Sequence, residues 1–372
     1  MNRNRRTKEI LICTLVAASI FLDAGRVAKG DFTFGTPTNL GLTVNSSSYD
    51  SDESISADGL SLYFTSDRPG GSGSYDIWVT TRETAQDPWG EPVNLGPTVN
   101  SSDWDHTPFI SADGFTLYFS SNRPGGSGHV DIWITTRTTV SDPWGTPVNL
   151  GSDINSSDAD AAVNISLDGL SLFFNSTRSG GYGGQDLWVS TRLTLSHSWS
   201  APVNLGSTVN SSTWDYIPAL SASGLLLFFA SYDRPGGLGS DDIWLTIRET
   251  TVDPWGEPVN LGPAINSSSG EGAPNISADG STLYFNSNRP GGSGHVDIWQ
   301  VSIEPVVDLN SDGIVDATDM CIMVDNWGTD DALCDIGPTP FGDGVVDVQD
   351  LIVLAEHLFE EFPPADPNIE TP

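Results

Sequence analysis

Apolar and polar residues alternate along most of this chain in short runs, and the runs recur at a fixed spacing. The stretch from 106 to 151 shows the pattern: HTPFIS at 106–111, TLYFSSN at 116–122, VDIWITT at 130–136 and TPVNLG at 146–151. β-Branched and aromatic residues in such alternation predict strands. The intervening ADG and RPGGSG supply glycines that accept positive φ and a proline that fixes the turn entry. The serine opening each S-x-x-G turn stands at Ser56, Ser111, Ser166, Ser221 and Ser277, at intervals of 55, 55, 55 and 56. The extra residue lies in SYDRPGG, 231–237. Four short antiparallel strands in a unit of this length predict a propeller blade.

Counting the pieces predicts how the ring closes. The first three strands of the unit occur five times after residue 45. The fourth, P-x-N-L-G, also occurs five times, but its first copy (37–41) precedes blade one and the last blade lacks one. The N-terminal strand is therefore expected to complete the final blade and remove the free sheet edges. The expected fold is all-β, a five-bladed β-propeller over residues 31–304 closed by an N-terminal strand. The motif SADG-x-x-LYF-x-S-x-RPGG-x-G-x-x-DIW resembles the WD40-like (PD40) repeat of bacterial exported propellers, the TolB-type class. That resemblance implies the fold, and says little about a ligand: many relatives bind proteins or envelope polymers, and a few similar propellers degrade sugars.

Repeated positions separate from unique ones. Asp76, Asp131, Asp186, Asp242 and Asp297 precede Ile/Leu-Trp in every blade and are expected, with the RPGG-type arginines, to form the same local ion pair or turn bond in each. A second set, Asp50, Asp105, Asp160, Asp215 and Glu271, lies six residues before each turn serine. On the innermost strands these five carboxylates are expected to ring one mouth of the axial channel. So close together they need a hard cation, ordered water or raised pKa values, or else each caps backbone amides of a neighbouring blade. Beside this ring the symmetry breaks: Tyr49, Trp104 and Trp214 precede the acid, and His106 and Tyr216 follow it, where blades three and five carry Ala or Gly. Aromatics between carboxylates suit a sugar-binding face, although the same side chains can pack between blades. Asp52 and Glu53 have no counterpart in other blades and are the candidates for catalysis, since one reaction centre needs groups in distinct environments. A glycosidase or polysaccharide lyase is the enzymatic alternative to a binding protein. No nucleophile motif or histidine cluster adds to it.

The net charge of −34 excludes nucleic acid as a partner, because counterion-release binding needs a basic surface. Residues 1–30 read as a secretory signal: Arg3, Arg5, Arg6 and Lys8 precede an apolar run at 10–22 too short to span a bilayer. The expected destination is secreted, periplasmic or cell-surface, with no membrane span in the mature chain. Beyond the signal only Cys321 and Cys334 remain, and an even pair in an exported protein predicts a disulfide.

After residue 304 the repeat gives way to DLNSDGIVDATD, 308–319, which has the spacing of an EF-hand calcium loop. Asp308, Asn310 and Asp312 supply oxygens at positions 1, 3 and 5, Ile314 its carbonyl at 7, and Asp316 and Asp319 close at 9 and 12. Aspartate at position 12 and the absence of a preceding helix resemble type I dockerin, which pairs two loop–helix units. The second unit, TPFGDGVVDVQD (339–350), matches through Asp343, Val345 (carbonyl), Asp347 and Asp350. It departs at Thr339 and Phe341, where Asp335 is a possible substitute ligand. The resemblance implies a small α-helical calcium-binding domain at 305–361 and a cohesin-like partner or surface scaffold. Loop positions 10 and 11 (Ala317-Thr318 and Val348-Gln349) would carry that contact. The proline-rich acidic tail at 362–372 is expected to be disordered.

Overall fold

The computed structural model describes residues 32–310, 314–329, 331, 333–337 and 345–360; the expected signal and tail lie outside them. Twenty-one strands form five sheets, each a blade of a propeller. Blade one runs through Asp50–Ile55, Ser61–Ser66, Asp76–Thr81 and Val93–Asn94 in spatial order, and blades two to four repeat it. In blade five, Glu271–Ile276, Thr282–Ser287 and Asp297–Pro305 are completed by Thr38–Asn39 from the N-terminal end. Thr38 and Asn39 face Gln300 and Trp299 in the register that Val93 and Asn94 hold with Val79 and Trp78. The expected closure is found. An addition is Phe32–Phe34, which pairs with 303–305 and extends that blade. The fourth strands are two residues long, shorter than the six-residue run in the sequence suggested. A proline without an N–H precedes them, and Gly96 and Gly151, at φ 77° and 90°, turn the chain away afterwards.

The core lies between blades. Tyr63 and Ile77 of blade one pack on Ile110, Leu117, Phe119 and Trp133 of blade two, all buried. Each such side chain contributes roughly 1.5–3 kcal/mol on burial, so the closed ring is held by its seams.

Of the two alternatives for the Asp76 set, the turn bond is found and the ion pair with the RPGG-type arginines is not. Arg68 folds back across Ser66 (Nε to Oγ, 2.9 Å) and reaches Asp50 on the innermost strand at 2.5 Å. Its guanidinium lies against the rings of Phe64 and Trp78. Asp76 instead accepts from the backbone of the turn it closes, at Ser72 and Gly73, and from Asn94 Nδ2 at 3.1 Å. The geometry recurs in the other blades with a variation in blade four. There, among the described residues, Arg234 pairs with Asp215 (3.1 Å) without a bond to Ser231, and Asp242 accepts only from the turn backbone. Both repeated acids are thus explained without chemistry.

Candidate functional site

Of the two readings of the five repeated acids, the structure favours capping of backbone amides, by the linker serine N–H in every blade, and corrects the placement at the channel mouth. Asp50, Asp105, Asp160, Asp215 and Glu271 are fully buried, turned into the blades and not toward the axis. Each is paired with its arginine, at Arg68, Arg123, Arg178, Arg234 and Arg289. Asp50 also accepts from Ser46 N (2.6 Å), Ser46 Oγ (2.8 Å) and Ser66 Oγ (2.6 Å). With these lone pairs occupied, the set pins the inter-blade linkers and needs no cation to relieve repulsion.

The axis is approached two residues further on. There each innermost strand slips register at a β-bulge. Asp52, Thr107, Ala162, Ile217 and Ala273 have φ between 47° and 55°. A left-handed, non-glycine residue is costly, most of all when β-branched, and such strain gathers at functional positions. The neighbouring blade helps to hold it: Thr107 N donates to Thr65 Oγ1 (3.1 Å), Ala162 N to Ser120 Oγ (3.0 Å) and Ile217 N to Asn175 Oδ1 (3.0 Å). No glycine marks this position, so the sequence carried no signal of it.

At this end of the strands the unique side chains meet. Parallel bridges between blades set them: Tyr49 against Val296, Tyr75 against Trp104 and Gln185 against Trp214. Tyr49, Tyr75 and Trp104 make an edge-to-face series with centroids 5.7 and 6.3 Å apart. Trp214 leans on Tyr232 at 6.4 Å. The indoles of Trp104 and Trp214 remain 48% and 55% exposed, large apolar surface left in water. Between blades four, five and one, Tyr49, Asp52, Tyr216, Asp241, Asn286 and Asn288 line a cavity of about 130 Å³. Tyr216 Oη donates to Asp241 in a short bond. Burial raises the Tyr216 phenol well above its usual range, with the Asp241 charge adding to it. Burial also raises Asp52, although the His106 imidazole, Thr65 and Ser51 hold it back. His106 moves the other way: burial lowers it against the pull of Asp52 and Asp105. Tyr75, Tyr232 and Asp241 were missed by the sequence reading. Tyr75 and Asp241 precede the aspartate of the third strand in their blades, so the same search for broken symmetry at that position would have found them.

Glu53 stands where the other blades carry Pro108, Val163, Pro218 and Pro274. It is 3% exposed, and neither carboxylate oxygen has a hydrogen-bond partner among the described residues. Burial pushes its pKa well above the ordinary 4.5, and the nearby Asp52 charge adds to the rise. It borders an axial void of about 20 Å³, with Asp52, Phe109 and the three prolines. That volume holds about one water.

The C-terminal unit forms its own small core from Val315, Met323, Cys334, Ile336, Val346 and Leu354. Two helices, α1 (Ala317–Asp325) and α2 (Val348–Glu356), each open on an aspartate cap and a capping box. The halves mirror one another. Val315 exchanges backbone bonds with Phe359 and Glu360, and Val346 with Gly328 and Thr329. Buried Asp319 accepts from Asn310 N (3.1 Å) and Asp316 N (2.8 Å). Buried Asp350 accepts from Gly337 N (2.6 Å) and Asp347 N (2.6 Å). Gly337 thus occupies the place of Asn310, and Asp335 that of Asp308. The second loop begins four residues earlier than the 339–350 spacing suggested. Asp308, Ile314, Asp316 and Val345 are described, whereas Asp312 and Asp343 lie outside the described residues. The donors are oxygens only, which fits a hard cation. Among the described residues, no three acidic, histidine or cysteine side chains converge as a metal centre. The expected disulfide is absent: Cys321 is exposed on α1, whereas Cys334 is buried in the core, with Asn326 Nδ2 3.5 Å from its sulfur.

No protein-family model matches the chain, and comparison with curated proteins returns no match. Among solved structures, TolB from Acinetobacter baumannii aligns at 14% identity and TM-score 0.42, over 68% of this chain and 53% of that one. This chain therefore spans about half of that TolB. An alpha-L-arabinofuranosidase from Lactobacillus brevis aligns at 13% identity and TM-score 0.48, over 69% and 90%. A thermostable family-43 glycoside hydrolase aligns at 17% identity and TM-score 0.46, over 69% and 89%. Likeness at this level assigns no activity. Among the described residues no helix is long and apolar enough to cross a membrane.

Proposed function

We propose that this protein is an exported, non-catalytic glycan-binding propeller carried by a calcium-loaded, dockerin-like C-terminal unit that docks to a cohesin-like partner on a scaffold or surface. The supporting observation is a break in five-fold repetition at one end of the strands: Trp104 and Trp214 stay about half-exposed, and Tyr49, which continues the Trp104–Tyr75 aromatic series, lines a polar cavity. Indole faces suit the apolar faces of pyranose rings, and the tyrosines, asparagines and carboxylates of that cavity suit the hydroxyls. In the C-terminal unit, Asp308, Asn310, Asp312, Ile314, Asp316 and Asp319 would hold one calcium ion. Asp335, Asp343, Val345, Asp347 and Asp350 would hold another. Val345, Val348 and Ile352, about half-exposed around the start of α2, suit a protein partner.

The test is electrophoresis of the full chain through gels containing soluble xylan, mannan or β-glucan. Retardation without release of reducing ends, lost in Trp104→Ala/Trp214→Ala, is expected; no retardation in any gel would end the proposal. The enzymatic reading draws on Glu53, a buried acid without a hydrogen-bond partner among the described residues. The void beside it is too small for a sugar ring, which favours binding over turnover. Reducing ends released by the wild type but not by Asp52→Asn or Glu53→Gln would reverse that preference.

A further inference from the structure

A larger cavity lies at the opposite end of the strands. It occupies the seam between blades five and one and measures about 520 Å³, within the range of ligand pockets. The seam is unlike the others by composition and by construction. Where the third and fourth strands meet, blades one to four pair Val79 with Val93, Ile134 with Val148, Val189 with Val203 and Leu245 with Val259. Blade five pairs Gln300 with Thr38. Blades one to four then turn at an arginine stacked on a tryptophan, as Arg82 on Trp89, before the fourth strand. Blade five has neither residue: its third strand runs on to Pro305 beneath Phe32–Phe34. The ring is thus sealed through a polar joint, and the groove lies along it.

We infer that this seam groove is a second binding site, for a neutral oligosaccharide, independent of the aromatic mouth. Thr38, Gln300 and Ser302 line one side. The hydroxyls of Thr38 and Ser302, which donate to Gln300 O (3.4 Å) and Glu304 Oε1 (2.7 Å), offer acceptor lone pairs, and the Gln300 amide both donates and accepts. Asp58 and Asp279 stand on the turns of blades one and five, and Arg82 completes the lining. Two carboxylates against one guanidinium, on a chain of net charge −34, repel anions. A polyol, with a donor and an acceptor at every hydroxyl, matches this mixture. Asp58 Oδ1 accepts from Ser56 Oγ (2.5 Å) and Leu60 N (3.0 Å), and Asp279 Oδ1 from Ser277 Oγ (2.5 Å) and Ser281 N (3.0 Å). Asp113 and Asp168 close the same turn in blades two and three, so the repeat fixes these carboxylates and the polar joint beside them is what sets this seam apart.

The experiment is hydrogen–deuterium exchange on the full chain with xylohexaose, mannohexaose or cellohexaose. One sugar is expected to slow exchange at 36–38, 277–282 and 300–302. The double variant Thr38→Val/Gln300→Val copies the pair used by blade one, so it should fold, and should weaken that protection at least tenfold in sugar concentration. Trp104→Ala/Trp214→Ala should leave it intact. No slowing at these segments with any of the three sugars, or slowing unchanged in the double variant, overturns the inference. Protection confined to 104–106 and 214–216 would overturn it while leaving the aromatic mouth standing. Protection confined to the seam would do the reverse.

Discussion

Replacing Glu53 with glutamine should stabilise the propeller, by an amount set by pH. Among the described residues this carboxyl has no hydrogen-bond partner, and burial raises its pKa well above the ordinary 4.5. Below pH 4.5 the group is protonated in folded and unfolded chains alike, and the substitution changes little. As pH climbs past 4.5 the unfolded chain releases the proton while the folded chain keeps it, so wild-type stability falls until the folded pKa is reached. Holding the proton at pH 7 costs at most about 1.36 × 2.5, or roughly 3 kcal/mol. Glutamine has nearly the same shape and no proton to lose, so the variant should recover most of that. At roughly 2–4 °C per kcal/mol for a domain of this size class, its melting temperature should rise at pH 7, by up to about 10 °C. Near pH 4 the two proteins should melt together. Thermal melts by circular dichroism at both pH values decide the matter. An equal shift at the two pH values, or a loss of stability at pH 7, would refute the reasoning that Glu53 is buried without a partner.

Other consequences can be checked separately. Asp105→Ala leaves Arg123 buried and unpaired and should cost about 3–5 kcal/mol, read as a lower urea midpoint; a change under 1 kcal/mol would contradict the pairing. Peptide mapping after maleimide treatment of the native protein should find Cys321 modified and Cys334 spared, since burial and the nearby Asp331 push the Cys334 thiol up to about 12. Failure of both to react until a reductant is added would restore the disulfide. Calorimetric titration of the full chain with calcium should show two sites, one of them lost in Asp335→Asn. A single site insensitive to that change would return the start of the second loop to Thr339.

The ring was legible because five copies at near-equal spacing leave little choice, and the misplaced fourth strand betrayed its closure. Roles within the repeat were not legible. Spacing showed two repeated acids and an RPGG-type arginine in every blade, but which acid receives that arginine depends on how Arg68 folds back over Ser66. The bulge at Asp52 was hidden because no glycine stands at its left-handed position in any blade. The aromatic mouth was readable wherever a residue differed from its four counterparts. The polar seam was not sought, since it arises from what blade five lacks. In the C-terminal unit, residues 338–341 obscured the true start of the second loop. The matching bonds from Asn310 and Gly337 revealed it.

Hydroxyl-radical footprinting of the tryptophans, with and without the oligosaccharide that the propeller retains, bears most directly on the aromatic mouth. Trp104, Trp214 and Trp327 are all about half-exposed, so they oxidise readily in the free protein and Trp327 serves as the internal control. Bound sugar should protect Trp104 and Trp214 and leave Trp327 unchanged. Equal oxidation of all three at saturating sugar would place the glycan elsewhere and contradict the account.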